Sequence, residues 1–218
     1  MGDSMASRKS SPLGPNLFHS HGELATALCL GGRRMSTVDK HRQTNFVQPV
    51  PRGSIQPILH PDEDILVAIQ GTDLRADAIV QSLAFHAVEE NWESLWAIAD
   101  SLKREVSVLF DNQGLIWVDI GTPGMVRLSP PIGSQIPFQL WIHTHPWDAY
   151  WSITDKNTLG RESGTLSRAL VLGHDHLVQT VYHDTVPESS HTEWIFIDGV
   201  LSNWTAEAAV SYATLRQK

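Results

Sequence analysis

The stretch that decides the fold is Phe138-Gln-Leu-Trp-Ile-His143-Thr-His145-Pro-Trp-Asp-Ala-Tyr-Trp-Ser152-Ile-Thr-Asp155. Its first half, residues 138–145, reads as an apolar strand, and Pro146 stops the ladder because proline has no N–H to donate. A strand repeats every second residue, so His143 and His145 share one face. Beyond the proline, Ser152 stands where a helix can begin and Asp155 lies one turn further on. Residues 152–167 therefore read as a short helix or loop entered through Ser152.

Upstream of that stretch, residues 106–110 and 115–120 flank the polar turn 111–114 and read as a hairpin. Before the hairpin, Trp92, Leu95, Trp96, Ala99 and Leu102 recur at threes and fours, which predicts a helix from Asn91 to Lys103 and Arg104. Leu74, Ala78, Val80, Leu83 and Ala87 predict another helix, capped by Thr72. The run 65–69 (ILVAI), closed by Gly71, reads as a strand. Downstream, residues 168–172, 177–182 and 193–197 read as strands, and a final helix opens at Asn203 and reaches about residue 216. Helices flank these strands without strict alternation. The expected fold class is α+β, a mixed sheet flanked by helices, over residues 61–218.

Residues 1–60 read as a flexible basic tail, rich in Ser, Pro, Gly, Arg and Gln, with one short apolar stretch at 24–30. They hold 7 Lys and Arg against 3 Asp and Glu, whereas residues 61–218 hold 9 against 21. So acidic a domain repels phosphates, which disfavours a nucleic-acid partner. The 218 residues are 41% hydrophobic with 8 Trp, enough for a real core. The single Cys29 excludes an intramolecular disulfide framework and a Cys-rich metal knuckle. No apolar run reaches the ~18–20 residues that a membrane span needs, and the N-terminus lacks an apolar signal core. A cytoplasmic setting is expected.

Three His-x-His pairs occur. His19 and His21 lie in the tail, where nothing fixes the rings. His174 and His176 follow Gly173 and read as a polar turn between strands. His143 and His145 differ, because a rigid strand presents both imidazoles together, a good half-site for Zn²⁺. Asp155 can return as a third ligand, with Asp148 as the alternative carboxylate. Three protein ligands with an open fourth position mark a catalytic zinc, whereas a structural zinc is closed by four.

The His-x-His-Pro run followed by Ser-x-x-Asp resembles the JAMM/MPN+ (JAB) metalloprotease family, over roughly residues 85–185. The resemblance implies that His143, His145 and Asp155 hold zinc, that Pro146 is the motif proline and that Ser152 stabilises a tetrahedral intermediate. It also implies that Glu105, at the start of the strand after a long helix, carries the proton. The connection from His145 to Ser152 is one residue shorter than the family's usual one, and the strand after Glu105 lacks a frequent Gly. The implied architecture is a curved mixed sheet in three layers. The implied activity is a zinc-dependent hydrolase cleaving amide, isopeptide or peptide bonds through a metal-activated water, on a ubiquitin-like or other protein conjugate. The alternative is a non-catalytic MPN-type scaffold in a larger assembly. Trp141 is expected to pack beside the histidines. Trp147, Tyr150 and Trp151 read either as a wall or peptide-docking surface over the metal, or as core and rim packing.

Overall fold

The computed structural model describes residues 53–185, 193–194 and 201–217. Most of the basic tail, with the 24–30 stretch and His19 and His21, lies outside the described residues, as do residues 195–197 of the expected strand. Three helices open the described part: α1 (Asp62–Gln70), α2 (Asp77–Val88) and α3 (Trp92–Leu102). They are followed by β1 (Val106–Phe110), β2 (Ile116–Ile120), β3 (Leu140–Thr144), α4 (Ile153–Arg161), β4 (Arg168–Leu172) and β5 (His176–Val181). The short elements β6 (Glu193–Trp194), β7 (Thr205–Ala206), β8 (Val210–Ser211) and α5 (Tyr212–Leu215) complete the series. The fold is mixed α+β, with a six-stranded mixed sheet in the order β2-β1-β3-β4-β5-β8. Among the described residues, β3 and β4 are the one pair of strands in this sheet that run parallel. Parallel neighbours need a crossover connection, and this one carries α4.

Alternation along the strands divides the core in two. Leu140 and Ile142 join Val106, Val108, Leu170 and Leu172 in a cluster with the apolar stripes of α2 and α3. Trp141 faces the other way, with Leu109, Ala169 and Val171, and packs with Leu159 of α4, Trp151 and Trp204. Buried side chains therefore line both faces of the sheet, those of α2 and α3 joining one cluster and Leu159 of α4 the other. Among the described residues no helix is long and apolar enough to cross a membrane.

The sequence expectations hold for α3, the β1–β2 hairpin, β3, α4, β4 and β5, and fail in four places. Residues 65–69 are not a strand but the body of α1, whose first turn carries Asp62, Glu63 and Asp64, the sign that the N-terminal dipole favours. Ile65 alone in that helix is buried, so a five-residue apolar run carried no usable period. Thr72 does not cap α2; it lies in a turn at φ 57°, and the helix begins after Ala76. The final helix from Asn203 is absent. Trp204 is buried with its indole N–H on Ser163 Oγ at 2.9 Å, and β8 adds to the sheet edge beside β5, leaving only the four-residue α5. Sheet pairing overrides the local preference there. Packing also begins before residue 61, because Ile55 N–H donates to Ile116 C=O at 2.7 Å and its side chain joins the core.

Candidate metal centre

Asn91 caps α3 by accepting from Ser94 N–H at 3.3 Å, and Lys103 ends the helix in the left-handed region at φ 54°. Arg104 ties this turn to the sheet through a bond from Nη1 to Gly121 C=O at 2.8 Å. The chain thus enters β1 with Glu105 on the ladder, its N–H on Thr122 C=O and its C=O accepting from Gly121 N–H. Ser107 lies opposite His143 at the end of the antiparallel pairing, two residues after Glu105.

His143 is wholly buried and His145 nearly so. The main chain at His145 is fixed from two sides: its N–H donates to Leu172 C=O at 2.8 Å, and its C=O accepts from the Trp96 indole at 2.8 Å. Thr144, on the opposite face, accepts from Val106 N–H at 2.9 Å. The His143 ring stacks on Trp141 with centroids 4.4 Å apart, and Trp141 is itself held by Ser107 Oγ at 2.9 Å. The third residue arrives on α4, which Ser152 caps reciprocally. Ser152 Oγ accepts from Asp155 N–H at 3.2 Å, and Asp155 Oδ2 accepts from Ser152 N–H at 2.8 Å. That capping box orients the carboxylate. Asp155 Oδ1 lies 3.2 Å from His143 Nε2, and Oδ2 lies 3.4 Å from His145 Nε2. The ligand atoms of the three residues all fall within 4.8 Å of one another. The six-residue connection from His145 to Ser152 therefore still brings Asp155 to the histidine pair.

The His143 ring decides what this cluster is suited to hold. Both of its nitrogens are buried without a hydrogen bond, although Asp155 Oδ1 lies 3.2 Å from Nε2. An unpaired buried polar atom costs about 1–3 kcal/mol. A cation shared by the two imidazoles and the carboxylate would remove that cost, and the donor set suits a divalent transition metal. Burial lowers the pKa of His143 against the pull of Asp155, which keeps a nitrogen lone pair available near neutral pH. Burial pushes Asp155 up, but the facing imidazoles and Ser152 outweigh it and hold the carboxyl well below its ordinary range. A neutral His143 and an ionised Asp155 are the protonation states that a metal requires of them.

Glu105 is buried beside this group. Its Oε2 accepts from Val126 N–H at 2.9 Å. Burial raises its pKa, partly opposed by His145 and by that backbone bond, and the charge of Asp155 pushes it further up. Of the other sequence candidates, Asp148 is exposed and outside the cluster. His174 lies in the turn between β4 and β5, and His176 is the first residue of β5, opposite Ser211 of β8. Trp151 is core, while Trp147 and Tyr150 are 78% and 57% exposed. Tyr150 meets the His145 ring edge-on at 4.8 Å. A cleft of about 360 Å³ runs from the C-terminal end of α3 to His145, lined by Trp96, Arg104, Pro123, Pro146 and Trp147.

Sequence reading missed Val126 and the Trp96 indole, since both act across pairings that no local period reveals. Trp96 read simply as part of the apolar stripe of α3. A comparison of the chain with protein-family models, curated proteins and solved structures finds no match. The functional reading therefore rests on the geometry of this site.

Proposed function

We propose that the chain is a zinc-dependent hydrolase of the JAMM type, cleaving amide or isopeptide bonds of a ubiquitin-like or other protein conjugate. The observation that carries this reading is the buried His143–His145–Asp155 cluster, with neither His143 ring nitrogen hydrogen-bonded and the buried Glu105 beside it. Buried clusters on both faces of the sheet accord with the layered architecture that the resemblance implies.

Zinc bound there would act as a Lewis acid, lowering the pKa of a water from ~15.7 towards ~7. Glu105 takes the proton from the attacking water and returns it to the leaving amine. Its raised pKa suits a group that must both accept and give a proton near neutrality. Ser152 uses a hydroxyl lone pair for Asp155 N–H, so its own proton is free to donate to the oxyanion that develops at the scissile carbonyl. The cleft that reaches His145, with the exposed rings of Trp147 and Tyr150 beside it, favours an extended segment of a protein substrate.

The test is hydrolysis of isopeptide-linked and linear peptide substrates by the zinc-loaded chain and by Glu105→Gln. The variant keeps the shape of the side chain and loses the base, so cleavage is expected to fall by about 10²–10⁴-fold with zinc content unchanged. Zinc uptake without cleavage of any conjugate, or equal rates for the two proteins, would shift the reading to the non-catalytic scaffold.

A further inference from the structure

The loop from Pro146 to Trp151 has no regular structure of its own, yet it carries two of the rings that touch the histidine pair: Tyr150 against His145, and Trp151 tilted against His143 at 5.7 Å. One element holds it from outside. His174 N–H, in the turn between β4 and β5, donates to Trp147 C=O at 2.7 Å. Ala149 N–H lies 3.3 Å from His176 Nε2. Between these contacts Gly173 presses on the loop so closely that a Cβ there would meet Ala149 N at 2.5 Å and Trp147 O at 2.8 Å. The turn is braced from behind, where Tyr212 N–H donates to Asp175 C=O at 3.0 Å and Tyr212 Oη–H to Gly173 C=O at 2.6 Å.

We propose that Asp175 and His176 form a latch that seats the aromatic loop over the metal ligands, with His176 a positioning residue that works only as a neutral imidazole. Hydrogen-bond bookkeeping fixes the tautomer. Asp175 Oδ1 lies 2.6 Å from His176 Nδ1, and a carboxylate can only accept, so the proton is on Nδ1. Nε2 is then a lone pair, the only partner Ala149 N–H can use there. A second proton on the ring replaces that acceptor with a donor facing a donor, and the loop loses one of its three fastenings. The titratable and charged groups around this turn are Asp175 and His174 within it, Asp148 on the loop, Tyr212 and Arg216 on the α5 side, and Glu93, which pairs with Arg216 at 3.0 Å. The latch goes beyond the hydrolase reading, since it concerns the seating of the loop whether or not a bond is cleaved.

The test is amide hydrogen exchange at Ala149 in the full chain, expressed as protection relative to the intrinsic rate. It compares the unaltered protein, His176→Ala and His176→Gln, with and without zinc. Glutamine keeps an acceptor oxygen at the reach of Nε2 and does not titrate. Protection is expected to drop about tenfold in His176→Ala, the scale of one net hydrogen bond, and to return in His176→Gln. Equal protection of Ala149 in the three proteins, or no recovery in His176→Gln, would overturn the latch. If His176→Ala does not fold, His176→Phe, which fills the space without offering an acceptor, is compared with His176→Gln instead. Because exchange is read in metal-free and zinc-loaded protein alike, failure of the latch and failure of the hydrolase reading are separate results.

Discussion

At the scale of residues, the cluster is an instance of protonation states set by burial. His143 is kept from its proton by its surroundings, while an unfolded histidine titrates near 6.5. Its folded pKa lies below the unfolded one, so the unfolded chain binds the extra proton as the pH falls through that value, and stability is lost with it. Metal-free protein is therefore expected to become easier to denature between pH 7 and pH 5, measured by urea unfolding in the presence of a chelator. The slope should shrink in His143→Gln, leaving the part contributed by His86, whose pKa burial also lowers. Glu105 has the opposite sign: its raised pKa makes the folded state the better proton binder just above the ordinary carboxylate range, so a Glu105→Gln background removes that opposing contribution. Asp155, held low, gives up its contribution only under more acidic conditions, as the pH falls below the ordinary carboxylate range. Ser152 has two roles at one atom. Ser152→Ala removes the helix cap, worth about 1 kcal/mol, and on the proposed reading also removes an oxyanion donor. Its cleavage rate is expected to fall by roughly 10²–10³-fold, more than the loss of a cap explains.

At the scale of elements, what was legible was what is local. The period of two fixes His143 and His145 on one face, and a serine followed three residues later by an aspartate is readable as a capped helix. Together they bring out His143, His145 and Asp155, the group that could hold a metal ion, before any coordinates. Glu105 could be reached by order along the chain, but its placement beside that group depends on β1 pairing with β3, a non-local register with no signature in either strand. The failures have the same origin. Residues 65–69 are short enough to fit helix or strand, and three acidic residues at a helix start decided the matter. The segment from Asn203 reads as helical locally but is drawn into strands by the open edge of β5 and by burial of Trp204. The helix that carries the Trp96 indole should be the element most costly to disturb. Leu95 is wholly buried there, and Leu95→Ala is expected to cost about 2–5 kcal/mol, read by denaturant unfolding, while the ligands themselves remain in place.

For the whole molecule, the sheet acts as a frame that brings three pieces of chain to one place. Of the candidate metal group, His143 comes from the central strand β3, His145 from the residue after its end and Asp155 from the crossover helix to the parallel neighbour, while Glu105 immediately precedes the antiparallel neighbour β1. A metal joining β3 to α4 should stabilise the folded chain by mass action, by about 2.7 kcal/mol at a hundredfold excess over the dissociation constant. The same zinc excess is expected to raise the melting temperature by roughly 5–11 °C for a domain of this size. No such rise is expected for Asp155→Ala. The measurement closest to the central claim is the zinc content per chain, by elemental analysis after loading and removal of free metal, for the unaltered protein, His143→Ala and Asp155→Ala. Near one zinc in the first and almost none in either variant is the expected result. A zinc-free unaltered chain, or variants that retain the metal, would contradict the assignment of His143, His145 and Asp155 as a metal centre.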